Sequence, residues 1–150
     1  MAIDLGDTIP EFELLNQNGE NVKISPKADK VRVIYFYPKN NTKVCTDQAC
    51  SFRDWYDDLL SYGCEVIGVS SDSVKSHSSF SKQHKLNFTL LSDPDGKVRK
   101  MFGATKLFGL IPSRKTFVID ENGKVIYTFD ALFESDKHVK NVLNHLKSGK

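Results

Sequence analysis

The sequence predicts an α/β domain, a central mixed β-sheet flanked by helices with a β-hairpin at its N-terminal end. Three observations carry that expectation. Val31–Tyr37 is a nearly continuous run of β-branched and aromatic residues, as a strand covered on both faces requires. Phe52, Trp55, Tyr56, Leu59 and Leu60 recur at the i, i+3, i+4, i+7, i+8 spacing of a helix with one buried face. Asn18-Gly19 and Asp120-Glu-Asn-Gly123 each separate two strand-like runs, the signal of a hairpin.

Taken in chain order, Phe12–Leu15 and Asn21–Ser25 are the arms of the first hairpin. Val31–Tyr37 is the central strand, stopped by Pro38. A long helix is expected from Thr42–Cys45 to Tyr62, with Asp47, Ser51, Asp54, Asp58 and Ser61 on its solvent side. Val66–Ser70 is a second buried strand, Ser73–His84 a helix whose apolar face rests mainly on Val74 and Phe80, and Thr89–Leu91 a short third strand. Asp93-Pro-Asp-Gly96 turns the chain into a short helix through Met101 and Phe102. Thr116–Asp120 and Lys124–Phe129 form the second hairpin. Val139, Val142, Leu143 and Leu146 mark a terminal helix capped by Ser135 or Asp136. Parallel pairing early and antiparallel pairing late is the pattern that results, and this order resembles the thioredoxin fold.

At 150 residues the chain has the length of one ordinary domain, and no repeat or linker divides it, so residues 1–150 are expected to form a single unit. Hydrophobic residues at 39% and charged residues at 27% exclude a disordered or fibrous chain. Lys plus Arg number 21 against 19 Asp plus Glu, a net charge of +2 that makes no electrostatic case for a nucleic-acid or membrane partner. No apolar run is long enough to span a bilayer. Met1-Ala-Ile-Asp-Leu-Gly-Asp lacks the features of a signal or import peptide, so a cytoplasmic location is expected, or an organellar one if a leader has been removed.

Three cysteines, Cys45, Cys50 and Cys64, are an odd number that argues against a disulfide scaffold and leaves redox chemistry or inert buried thiols. On a wheel of 100° per residue, Cys45 falls within about 20° of Phe52 and Tyr56, on the inward face of the long helix. It also lies in the first turn, where open backbone N–H groups and the positive end of the macrodipole favour an anion. The thiolate is the nucleophilic form of cysteine, so this placement is a route to reactivity; a small buried hydrophobe is the equally open alternative. Cys50 lies on the same helix with its Cα about 8.7 Å from that of Cys45, beyond the roughly 7 Å limit for a disulfide. If the two form a redox pair, the first helical turns must unwind. The spacing fits neither a static disulfide nor Cys-x-x-Cys exchange. His77, His84, His138 and His145 show no ligand spacing and read as solvated helix residues, so no metal is expected.

The segment Tyr35-Phe-Tyr-Pro-Lys-Asn-Asn-Thr-Lys-Val-Cys-Thr-Asp-Gln-Ala-Cys50 resembles the active-site segment of the peroxiredoxins, most closely the peroxiredoxin Q or bacterioferritin-comigratory subfamily. Pro38, Thr42 and Cys45 match the family pattern Pro-x-x-x-Thr-x-x-Cys, and Cys50 matches the subfamily's second cysteine. Phe52-Arg-Asp54, Asn87–Asp93 and Gly109–Asp120 are also similar, the last placing Arg114 where the family carries its active-site arginine. The resemblance runs from about Gly6 to Leu146.

It implies a thiol peroxidase for hydrogen peroxide and alkyl hydroperoxides that uses no metal, haem or flavin. By the same resemblance, Cys45 is the peroxidatic nucleophile and passes through a sulfenic acid. Thr42 binds the peroxide, and on its position alone it is equally an N-cap. Pro38 shields the pocket, Arg114 stabilises charge on sulfur and oxygen, and Cys50 resolves the sulfenic acid to an intrachain disulfide that thioredoxin reduces. A monomer is implied. Many members carry Pro-Gly where this chain has Lys43-Val44, and Lys43 adds a positive charge beside the sulfur. Cys64 has no motif partner and reads as a structural thiol. The rival classes are a non-catalytic thioredoxin-fold binding or chaperone module, and a protein disulfide oxidoreductase, which would need the absent Cys-x-x-Cys.

Overall fold

A computed structural model of the protein describes residues 3–106, 111–112 and 115–130. The first hairpin forms where Asn18-Gly19 places it, as β1 (Phe12–Asn16) and β2 (Asn21–Ile24), with Gly19 at a positive φ of 77°. Then follow β3 (Val31–Phe36), α1 (Lys43–Ser61), β4 (Cys64–Ser70), α2 (Val74–His84), β5 (Thr89–Ser92) and α3 (Lys97–Met101). The closing hairpin is β8 (Lys115–Ile119) with β9 (Val125–Asp130). Between α3 and β8, β6 (Thr105–Lys106) meets β7 (Ile111–Pro112) in a short antiparallel ribbon. The terminal helix expected after Ser135 lies outside the described residues, as do Arg114, His138 and His145.

The main sheet runs in the order β2-β1-β5-β4-β3-β8-β9, parallel where β3, β4 and β5 meet and antiparallel elsewhere. This is the mixed sheet of a thioredoxin-like fold. Alternation along β3 splits its side chains between two cores. Val33, Tyr35 and Tyr37 join Cys45, Phe52, Phe80 and Phe88 under α1 and α2. Ile34 and Phe36 join Phe12, Phe102 and Phe117 on the other side, beside α3. Both faces of β3 are therefore covered, which is why that segment has almost no polar alternation.

α1 departs from the sequence expectation in one respect. Its buried stripe is narrow and runs Cys45, Ala49, Phe52, Leu59, with Tyr56 packed against it. Trp55 and Leu60 are 39% and 37% exposed rather than buried. They lie roughly 60° and 80° to either side of Phe52, too far round the helix to reach the sheet. Ser51, expected on the solvent side, is buried, because the N-terminal half of α1 is the more enclosed half. His77 is likewise a correction. It is fully buried, filling the place between Val74 and Phe80 on the inward face of α2, with its polar atoms satisfied inside.

Candidate active site

The site is built where β3 gives way to α1. Tyr37 still pairs with β4 through its N–H on the Val69 carbonyl at 3.1 Å, and Pro38 then turns the chain away, half-buried. Asn40 fixes the loop. Its N–H donates to Asp72 Oδ2 at 2.8 Å, its Oδ1 accepts from the Tyr37 hydroxyl at 2.7 Å, and its Nδ2 donates to Ser76 Oγ at 3.1 Å. The same amide stands 3.0 Å from His77 Nδ1, whose other ring nitrogen lies 3.0 Å from the Leu91 carbonyl. That pattern requires a neutral imidazole protonated at Nε2. Burial pushes His77 toward this neutral form, against Asp72 and the Leu91 carbonyl. Asn41 then takes a left-handed φ of 64°, a conformation asparagine tolerates, and α1 begins.

Thr42 occupies the N-cap position with extended φ and ψ of −90° and 152°, but its hydroxyl does not cap the helix. Oγ1 donates instead to the Lys39 carbonyl at 2.9 Å. The capping role expected from sequence is thus not played by the side chain. The consequence is chemical: the hydroxyl proton is committed to the loop, while its lone pairs stay available at the helix start. Cys45 is the third residue of α1 and is 1% exposed. Its backbone N–H belongs to the first turn, whose donors have no intrahelical acceptor. Tyr35 and Phe52 stack with centroids 4.7 Å apart in the same core as Cys45, and Tyr35 lies so close to β4 that a Cβ on Gly68 would approach its hydroxyl oxygen to 2.8 Å.

Two charges near the site behave differently from the sequence expectation. Lys43 points outward and pairs with Asp47 at 3.2 Å on the exposed helix surface, so its ammonium is engaged there. Arg99, which sequence reasoning passed over, is 3% exposed. Its guanidinium donates to the Tyr37 carbonyl and to the Ala104 carbonyl (3.2 Å), and lies 6.0 Å over the Phe36 ring. Burial pulls this guanidinium below its ordinary range, while Asp93, Tyr37 and Cys45 favour its charged form. Arg99 and Cys45 therefore sit within each other's field. A basic residue on a five-residue helix carries no sequence signal of burial, so only the fold reveals it.

None of Cys45, Cys50 and Cys64 is joined in a disulfide. Cys50 is half-buried on the flank of α1 that faces α2, and its Sγ lies 4.0 Å from His84 Nδ1. Burial pushes its thiol up, Arg53 opposes that shift, and Asp54 and Asp47 add to it. Cys64 is fully buried at the start of β4, where burial and Glu65 push it up to about 12. Among the described residues no group of three His, Cys, Asp or Glu stands together to hold a metal ion, and no helix is long and apolar enough to cross a membrane.

A thioredoxin-like sheet with a buried cysteine in the first turn of its long helix is the setting of a thiol redox protein. Residues 5–128 match the AhpC/TSA family model, and the chain belongs to that family. It is 46% identical over 144 residues to the chloroplastic peroxiredoxin Q of Sedum lineare, covering 95% of this chain and 77% of the relative. The crystal structure of the peroxidoxin BcpB of Mycobacterium tuberculosis superposes with a TM-score of 0.90 at 35% identity, covering 97% of both chains. A cysteine-to-serine variant of the Xylella fastidiosa peroxiredoxin Q gives a TM-score of 0.90 at 28% identity, over 99% of this chain and 98% of that one. The chain is a peroxiredoxin, and its activity is thiol-dependent peroxide reduction; a non-catalytic module is not favoured.

Proposed function

We propose that Cys45 is the peroxidatic nucleophile and Cys50 its resolving partner, in a cycle driven by a thioredoxin-type dithiol. The Cys45 thiolate attacks one peroxide oxygen, an S–O bond forms as the O–O bond breaks, and water or an alcohol leaves with a proton. Thr42 accepts the O–H of the incoming hydroperoxide on the lone pairs that its bond to Lys39 leaves open. The first-turn N–H groups and the Arg99 guanidinium supply fixed positive potential at the sulfur, which costs no reorganisation during the reaction. Arg114 joins them as the family motif implies, and Pro38 covers the loop side.

The sulfenic acid then condenses with the Cys50 thiol, and water is lost as the disulfide forms. The two residues share one helix at a separation that forbids the bond, so the first turns of α1 unwind in this step. Reduction by an external dithiol restores the helix. Sulfur supplies both electrons, so the cycle needs no metal, haem or flavin. A disulfide within one chain requires no second subunit, and we take residues 1–150 as one domain acting as a monomer, in the cytoplasm or an organelle interior. The substrates are hydrogen peroxide and alkyl hydroperoxides.

The observation that carries this reading is the burial of Cys45 in the first turn of α1, with its loop fastened by Asn40 and a second thiol on the same helix. Steady-state peroxide consumption with thioredoxin and its reductase tests it. Cys45→Ser abolishes turnover; undiminished activity in that variant would refute the assignment.

A further inference from the structure

Resolution consumes a thiol proton, and the surroundings of Cys50 hold that proton tightly. Burial pushes this thiol up, with Asp47 and Asp54 in the same direction and only Arg53 opposing. Yet it is the thiolate that attacks in disulfide formation. A base within reach of Cys50 would remove this mismatch, and α2 presents one. His84 is the last residue of α2, its Nδ1 lies 4.0 Å from Cys50 Sγ, and its ring stands edge-on to Phe80 with centroids 4.8 Å apart. That distance is at the outer limit for hydrogen bonding to sulfur, and such contacts tighten when the reacting complex forms.

The position of His84 relative to α1 is secured from the other side. Arg53 Nη1 donates to the His84 carbonyl at 2.7 Å, and Asn87 Nδ2 reaches the Arg53 carbonyl at 3.4 Å. Arg53 follows Cys50 by three residues, so these bonds pin the helix just beyond the thiol. Unwinding of the first turns then carries Cys45 toward Cys50 and leaves Cys50 beside His84. The charged groups around the pair are Asp47, Arg53 and Asp54 on α1 and, flanking His84 in sequence, Lys82 and Lys85.

We propose that His84 is the general base of the resolving step. Its Nδ1 takes the proton from Cys50 Sγ, and the sulfur attacks Cys45 Sγ. The S–S bond forms as the S–O bond breaks, and the departing hydroxide recovers the proton from His84 and leaves as water. Cys50 is oxidised, the sulfenic sulfur is reduced, and no other reactant is needed. This rests on the assignment of Cys45 and Cys50 above.

The test uses stopped-flow fluorescence of Trp55, the chain's single tryptophan, on α1 between the resolving thiol and the helix end. A phase proportional to peroxide reports oxidation, and a following peroxide-independent phase reports resolution. In His84→Asn and His84→Ala the first phase keeps its rate constant. The second slows about a hundredfold at neutral pH, the low end of what a positioned base supplies. It also recovers as pH rises, and added imidazole restores part of the rate in His84→Ala. A merely structural role would not respond to imidazole. A resolution rate equal to wild type in both variants, or a loss that neither imidazole nor higher pH reverses, overturns the proposal. Peptide mapping of the oxidised wild-type chain separates the two assignments. If no Cys45–Cys50 disulfide forms, the cycle itself fails; if it forms at a rate independent of His84, only the role of His84 fails.

Discussion

Cys45 and Cys64 are almost equally hidden, at 1% and 0% exposure, and they belong to the same core layer under α1. Their electrostatic surroundings are opposite. Cys64 begins a strand beside Glu65, its Sγ directed at the Glu65 carbonyl at 3.6 Å, and its thiol is pushed up to about 12. Cys45 sits where a helix starts, with first-turn amides around it and the buried Arg99 within its field. Burial alone makes a thiol inert because it penalises the anion. At a helix start, the first-turn amides and a nearby buried cation oppose that penalty. In the cycle proposed above, placement in the fold rather than exposure is what distinguishes the nucleophile Cys45 from Cys64.

The largest test of that contrast exchanges each sulfur for oxygen. Cys45→Ser removes peroxidase turnover entirely, whereas Cys64→Ser leaves kcat/KM for hydrogen peroxide within about twofold, since a site far from the chemistry removes no interaction made in the transition state. Substantial loss in the Cys64 variant would mean that the two environments are not functionally distinct. Next in size is the charge. Arg99→Met lowers the second-order rate of Cys45 oxidation by about a hundredfold, the effect of removing one preorganised charge, and Arg99→Lys recovers part of it. Both variants lose stability through the Tyr37 and Ala104 carbonyls. The single-turnover rate on folded protein separates chemistry from folding, and an unchanged rate in Arg99→Met would remove that arginine from the account.

The smallest effect is thermodynamic and concerns Cys64. Its folded-state value near 12 lies above its ordinary 9.0, so the folded protein prefers the neutral thiol. The stability this contributes is complete below pH 9 and is lost as pH rises through about 12. Urea unfolding of the wild type therefore weakens across that window more steeply than unfolding of Cys64→Ala. Parallel curves would show that Cys64 is less sequestered than its burial implies.

Much of this arrangement was legible in the residues. The hairpin at Asn18-Gly19, the central strand at Val31–Tyr37 and the helix opening at Thr42 follow from turn chemistry, β-branching and helical periodicity. The inward direction of Cys45 follows from its phase relative to Phe52. What could not be read depends on contacts between elements distant in sequence. Trp55 and Leu60 satisfy a helical pattern but miss the sheet, because periodicity gives the direction of a face and not the width of what it meets. His77 and Arg99 are polar residues whose partners, Asn40 and Leu91 for one and Tyr37 and Ala104 for the other, are supplied by other segments of the chain. Thr42 was placed at the right helix position but with the wrong bond, since the choice between a first-turn amide and the Lys39 carbonyl is made by the loop.

The most direct test of the central claim is the mass of one peptide. Trypsin cuts after Lys43 and Arg53, so Cys45 and Cys50 leave the protein together on Val44–Arg53. After one equivalent of hydrogen peroxide and alkylation of all remaining thiols, the account predicts that this peptide is unalkylated and two hydrogens lighter than its dithiol form, with Cys64 alkylated elsewhere. A Val44–Arg53 peptide that carries an oxidised Cys45 and an alkylated Cys50, in protein that still turns over peroxide, would contradict it.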